Sequence, residues 1–431
     1  MSVNSLVDWL EFLERLHPRG QAGIELGLER VARVKAGLRQ RQTCPVIVVG
    51  GTNGKGSTCA CLEAIYRAAG YRVGCYTSPH LLSYNERVRV DGAPAGDSGL
   101  CAAFARVEAA RRAAGDVALT YFEFGTLAAW ELFAEARAQV VILEVGLGGR
   151  LDAVNVYDAD AAVVTGIALD HTDWLGPDRE SIGFEKAGIY RGGRPAICAD
   201  ARPPRTLLAH AQAIGADPWL IGRDFGYERA PAGWTYRGRQ GVCREDLPIP
   251  ALAGEHQFGN AAAALAAIDG LQARLPVALP AIRDGLRQVR LAGRFQRVRE
   301  RPAIVLDVAH NPQAVGCLAD NLDAMGLYRR TIAVAGMLAD KDIAGALRLL
   351  AGKIDVWLLA GLDGPRGAAA EILAAAVEAE RPGGRTECFP SPAGAFRRAV
   401  GLAEEGDRII VFGSFHTVAA VLREIGQERP D

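Results

Sequence analysis

The stretch Val46–Thr58, VIVVGGTNGKGST, opens with apolar residues that do not alternate with polar ones. Such a run suits a strand covered on both faces. Gly50, Gly51 and Gly54 follow, then Lys55, Gly56 and Ser57, and STCACLEAIYRAAG (57–70) has helical periodicity. Strand, glycine-rich turn and helix together form a context that binds phosphate, because backbone N–H groups converge there and the helix start is partly positive. The spacing is not the ordinary G-x-x-x-x-G-K-[ST], since Gly56 separates Lys55 from Ser57. The segment by itself allows two readings. In one, Lys55 neutralises outer phosphates while Ser57 caps the helix or reaches a Mg²⁺-bound phosphate. In the other, it is a plain strand-to-helix turn with a solvated lysine.

Outward from this loop the same plan recurs. VVILEV (140–145), AAVVTGI (161–167) and RPAIC (194–198) read as further buried parallel strands, and EFGTLAAWELFAEARAQ (123–139) as a helix. AIVLDVA (303–309), TIAVAGM (331–337), DVWLLA (355–360) and RIIVFGS (408–414) repeat the alternation in the second half. The fold class expected is α/β with two domains and mostly parallel sheets. An N-terminal P-loop ATPase-type domain spans 1–292, a linker 293–300, and a smaller Rossmann-like domain 301–431. GYERAPAGWTYRGRQG (226–241) reads as a small antiparallel excursion on the first domain.

Bulk composition narrows the function classes. A chain of 431 residues exceeds one typical core, and 49% hydrophobic with 23% charged residues is a globular balance. Its 49 basic and 50 acidic residues argue against a general nucleic-acid binder. Nine cysteines without a CxxC pair suit reduced thiols. The N-terminus has helical spacing of charges rather than a signal-peptide pattern, and no run reaches the roughly 20 apolar residues of a membrane span. The expectation is a cytoplasmic protein with neither nucleic-acid nor membrane partners.

Three further segments carry candidate chemistry. Glu144 stands at the end of an apolar strand before GLGG, where ligands of open parallel sheets collect, and a carboxylate there suits Mg²⁺. It equally suits capping of a neighbouring helix. Asp170, His171 and Asp173 occupy a polar turn after the next strand, and Lys186 is placed in the N-terminal region of a helix beside it, with surface exposure as the default.

With these residues in place, the sequence resembles the bacterial folylpolyglutamate synthase/dihydrofolate synthase family, a branch of the Mur ligases. The resemblance rests on GTNGKGST (51–58), YTSPHLLSYNERVRV (76–90), LTYFEFGTLAAWELF (119–133), LEVGLGGRLDA (143–153), ALDHTDWLGPDRESIGFEKAGIYR (168–191), DVAHNP (307–312), GMLADKDI (336–343) and VFGSFHTV (411–418), in family order. In that family the phosphate loop has its glycine between lysine and hydroxyl. The resemblance implies an ATP-dependent amide ligase that works through an acyl phosphate, with ATP and Mg²⁺ required. Its substrates would be dihydropteroate, reduced folates and L-glutamate, and the chain would act as a monomer. A Mur ligase acting on a uridine-linked muramyl peptide is the alternative with the same chemistry; a non-catalytic scaffold is the alternative from another class.

Residue by residue, the resemblance implies that Asn53, Gly54, Lys55, Gly56 and Ser57 hold the ATP phosphates. Asn260, Arg294 and Asp307 would also contact the nucleotide. Ser78, Glu144 and His171 match magnesium ligands, and Lys186 matches a lysine that is carbamylated. Lys55, His171 and Lys186 are the catalytic candidates. A folate pocket is implied from Ile24, Glu25 and Leu26, from Thr120, Tyr121, Phe122 and Glu123, and from Leu151, Asp152 and Ala153. Phe122 would stack on the pterin, or else simply pack in the core, and Asp152 would accept its N–H bonds. His310, Ser414 and His416 are expected on the glutamate side. One departure is visible: Phe184 stands before EKAG where relatives carry arginine.

Overall fold

The structure, a computed structural model, describes residues 5–18, 25–38, 43–380 and 383–427. The chain forms two compact units, one of Met1–Ala251 with Phe258–Val289, the other of Leu252–Gln257 with Arg290–Asp431.

The first unit is built on strands β1 (Val46–Gly50), β2 (Val73–Tyr76), β3 (Val88–Val90), β4 (Ala93–Pro94), β5 (Val140–Glu144), β6 (Ala161–Val164), β7 (Pro195–Cys198) and β8 (Asp217–Leu220). Their order is β4-β3-β2-β5-β1-β6-β7-β8, and every pair is parallel except β2 with β3 and β3 with β4. All five residues of β1 and of β5 are buried, as unbroken apolar runs require in a sheet covered on both sides. The helix Lys55–Ala68 leaves β1 and packs against the helix Leu279–Gln288. The contact is backbone-close: a Cβ on Gly285 would stand 2.6 Å from Ile65 Cα. Strands β9 (Gly226–Ala230), β10 (Gly233–Arg237) and β11 (Cys243–Leu247) form a separate antiparallel sheet, order β11-β10-β9.

The second unit has β12 (Gln296–Glu300), β13 (Ala303–Leu306), β14 (Thr331–Ala335), β15 (Val356–Ala360), β16 (Arg385–Phe389) and β17 (Arg408–Phe412), ordered β12-β13-β17-β14-β15-β16. Every pair is parallel except β12 with β13. The segment expected as a linker, 293–300, therefore contains an edge strand. Its sequence QRVRE keeps its charges on an exposed edge, so no apolar run announces it. Each unit has a hydrophobic core of its own.

Candidate active site

Sheet register brings the first unit's candidates to one edge. Glu144, the last residue of β5, is paired with Val49 of β1 on one side, and its neighbour Leu143 with Tyr76 of β2 on the other. On the far side of β1, Gly50 pairs with Val164 of β6. The loop after β1, the Ser78 turn after β2, Glu144 and the Asp170–His171 turn after β6 thus leave the carboxyl ends of four adjacent strands, where open parallel sheets bind ligands.

The loop has no room for a side chain at Gly51 or Gly54. Gly51 has φ +139°, and a Cβ there would stand 1.8 Å from Thr165 Oγ1; Gly54 has φ +93°, and a Cβ would meet Asn260 Oδ1 at 2.4 Å. The close approach places Asn260 directly against the loop. Gly54 is the N-cap of the helix Lys55–Ala68, without a side-chain cap, so Ser57 does not cap it; Ser57 is buried in the first turn. Lys55 Nζ donates to the carbonyls of Gly51 (3.0 Å) and Thr52 (3.1 Å). Asn53 forms a bridge with Gly166.

Glu144 is 4% exposed, and its carboxylate accepts the Ser78 N–H at 3.0 Å. His171 has φ +53° and begins the short helix Thr172–Leu175; its Nε2 is 4.0 Å from Asp170 Oδ1. Among the described residues, no group of three or more His, Cys, Asp or Glu side chains stands close enough to hold a metal by itself.

Lys186 differs from expectation in two ways. Asp178 caps the helix Arg179–Ala187 through Ser181, so the helix starts early and Lys186 falls in its last turn. It is also buried, 3% exposed, rather than at the surface. Burial pushes its ammonium down to about 7, helped by the charge of Lys55, while Asp170 and Asp152 act in the opposite direction. Asp152 is pushed up to about 7 by burial, against the pull of the Leu147, Val154 and Gly146 N–H groups and of Lys55. Two lysines and two aspartates therefore share one electrostatic neighbourhood.

The folate candidates separate into two groups. Phe122 is half-buried, its ring 5.6 Å from that of Tyr76 and seated over Gly146, where a Cβ would be 2.8 Å from the ring. Arg87 lies 5.6 Å from the ring centres of both Tyr84 and Tyr121, and donates to His80 Nδ1 at 2.8 Å. Asp152 accepts from Leu147 N (2.9 Å) and Val154 N (3.0 Å), capping the turn Ala153–Val156. Thr120 and Glu123 instead form a reciprocal cap on the helix Tyr121–Glu135. Glu123 also pairs with Arg30 at 3.0 Å, and Arg30 in turn pairs with Glu25. Gly27 N donates to Leu151 O at 3.2 Å, which ties the segment after Leu26 to the 151–153 turn. Ile24 lies outside the described residues. Phe184 stacks edge-on to His210 and lies under the Arg150 guanidinium at 5.5 Å, so a cation stands beside the apolar ring.

In the second unit, Asp307 and His310 follow β13, and Ser414 and His416 follow β17, its neighbour in the sheet. Asp307 accepts from Phe295 N (2.9 Å) and Ala309 N (2.8 Å); burial pushes it up to about 6, against Arg294 and those N–H groups. Arg294 lies 5.1 Å from the Phe415 ring centre. His310 Nδ1 is 2.8 Å from Val308 O. Ser414 accepts Thr417 N at 3.0 Å at the start of the helix Phe415–Gln427, while His416 is exposed. Arg30 and Arg87 are two charged residues beside these candidates for which the sequence carries no motif.

Residues 293–415 match the Mur ligase, glutamate ligase domain family model. Dihydrofolate synthase/folylpolyglutamate synthase of Escherichia coli is 48% identical over 99% of this chain and 97% of its own length. The chain belongs to this family. A solved E. coli FolC in complex with DHPP and ADP superposes with a TM-score of 0.92 at 48% identity, covering 99% of both chains. A bifunctional folylpolyglutamate synthase/dihydrofolate synthase with Mn, AMPPNP and L-glutamate bound gives 0.89 at 45% identity over 98% of both chains. Family members at this likeness thus bind nucleotide, a divalent metal and glutamate. Among the described residues, no helix is long and apolar enough to cross a membrane.

Proposed function

We propose that this chain is an ATP-dependent amide ligase that joins L-glutamate to dihydropteroate, forming dihydrofolate, and adds further glutamates to reduced folates. It acts on these small molecules in the cytoplasm as a monomer. The observation that carries the reading is the alignment of the glycine loop, Ser78, Glu144 and His171 on four adjacent strand ends, in a chain 48% identical to a relative of that name.

The donor set fits a hard cation that keeps part of its shell for water and phosphate oxygen: one buried carboxylate, the serine whose N–H it accepts, and one imidazole. Ser78, Glu144 and His171 would hold Mg²⁺, which when bound screens the triphosphate and polarises its γ-phosphoryl group. The loop N–H groups and Lys55 then seat the phosphates. A folate carboxylate oxygen attacks the γ-phosphorus, the bond to the bridging oxygen breaks, and ADP leaves. The glutamate amine attacks the acyl carbon, a C–N bond forms, phosphate leaves and the amine proton is released. Lys55 counters charge that would otherwise keep carboxylate and triphosphate apart.

The test is ADP release with dihydropteroate and with tetrahydrofolate, each with and without glutamate. Turnover with both, dependent on glutamate, is expected; turnover with uridine-diphosphate muramyl peptide and none with dihydropteroate would replace this reading by the Mur ligase one. Lys55→Ala is expected to lower both activities by a hundredfold or more, roughly the scale of losing one preorganised charge contact.

A further inference from the structure

Arg89 sits on β3, outside the strand ends that carry the candidate site, and all of its donors are engaged. Nε donates to Glu63 Oε2 at 3.0 Å, and Nη2 pairs with the same oxygen at 2.9 Å. Nη1 reaches Thr77 Oγ1 and the Glu86 carbonyl, both at 3.0 Å. Nη2 also donates to Cys75 Sγ at 3.2 Å. The side chains of Arg89 and Glu63 are only 14% and 9% exposed.

These partners belong to different parts of the phosphate and metal machinery. Glu63 is on the helix that begins at Lys55, and Thr77 immediately precedes Ser78, whose N–H is fixed to Glu144. Glu86 in turn holds the turn after Ser78: its carboxylate accepts the N–H groups of Leu81, Leu82 and Ser83 at 2.8–2.9 Å. A planar guanidinium fixes such a set of acceptors in one geometry, which a single ammonium cannot do. We infer that Arg89 is a positioning residue for the divalent cation, locking the Ser78 turn to the phosphate-loop helix so that Ser78 and Glu144 stay in register.

The inference rests on the metal-facing reading of Ser78 and Glu144 given above. Its test is Mn²⁺ titration by electron paramagnetic resonance in the presence of ADP, alongside ADP binding without metal. Arg89→Lys and Thr77→Val are each expected to weaken Mn²⁺ by about tenfold, the lower end for supports of metal ligands, with metal-free ADP affinity changed less than twofold. Thr77→Val keeps the side-chain shape and decides the matter should Arg89→Lys fail to fold. Unchanged Mn²⁺ affinity in a folded variant, or an equal loss of metal-free ADP binding, would overturn the role. Wild-type protein that takes up no Mn²⁺ with ADP would remove the metal reading itself, and this inference with it.

Discussion

A lysine buried to 3% exposure and standing near another lysine is costly to keep charged, and Lys186 responds by releasing its proton near neutrality. The neutral amine is the form that adds carbon dioxide to give a carbamate. Since its ordinary value of 10.5 falls to about 7, the reactive form is abundant above pH 7 and disappears as pH drops below it. Incubation with ¹³C-bicarbonate at pH 8 is therefore expected to give a carbamate carbon signal by nuclear magnetic resonance. That signal should decline through pH 7 towards 6 and be absent in Lys186→Gln. A signal unchanged by that substitution would place the reactive amine elsewhere. The sequence announced the lysine but not its environment, because burial is set by how the helix Arg179–Ala187 packs, and its cap at Asp178 is what moves Lys186 to the helix end. Arg30, Arg87 and Arg89 escaped notice for a related reason: Arg30 finds Glu123 across 93 residues and Arg89 finds Glu63 across 26, and neither spacing forms a local pattern.

At the scale of elements, long apolar runs were legible and short mixed ones were not. β1, β5, β6 and β17 are unbroken Val/Ile/Leu/Ala/Phe-rich segments, whereas β2 is VGCY. Gly74 interrupts that strand's apolar pattern because the Phe133 ring lies 2.6 Å from where a Cβ would be. β16, RTECF, lies on a sheet edge and carries charge, as β12 does. The same close-packing logic gives a prediction for the phosphate-loop helix. Gly285→Ala drives a methyl group against the Ile65 backbone, where neither helix can yield cheaply, and is expected to destabilise by about 1–3 kcal/mol. Because the displaced helix starts at Lys55, ADP affinity should fall as well. Gly401→Ala is the control: this helical glycine has nothing within 4 Å of its added methyl, and alanine there should stabilise by about 0.5–1 kcal/mol without touching ADP binding. Denaturant unfolding and ADP titration of the pair check both signs.

For the whole molecule, two separate cores mean that damage to one is felt first by its own sheet. The core of the second unit gathers residues of β13, β14, β15 and β17 around Phe412, which is fully buried and 6.4 Å from the Trp357 ring. The first unit's core shares none of them. Phe412→Ala removes a large ring from a site without exposure and should cost about 3–5 kcal/mol. Native-state hydrogen exchange localises that loss, since amides exchange by the opening of the cooperative unit that protects them. Strand amides of β13, β14 and β17 are expected to exchange faster by the factor corresponding to that energy, while those of β1 and β5 keep their wild-type protection. Phe124→Ala, in the first core, should give the converse pattern. Uniform acceleration of both sheets by either substitution would mean that the two cores open as a single cooperative unit.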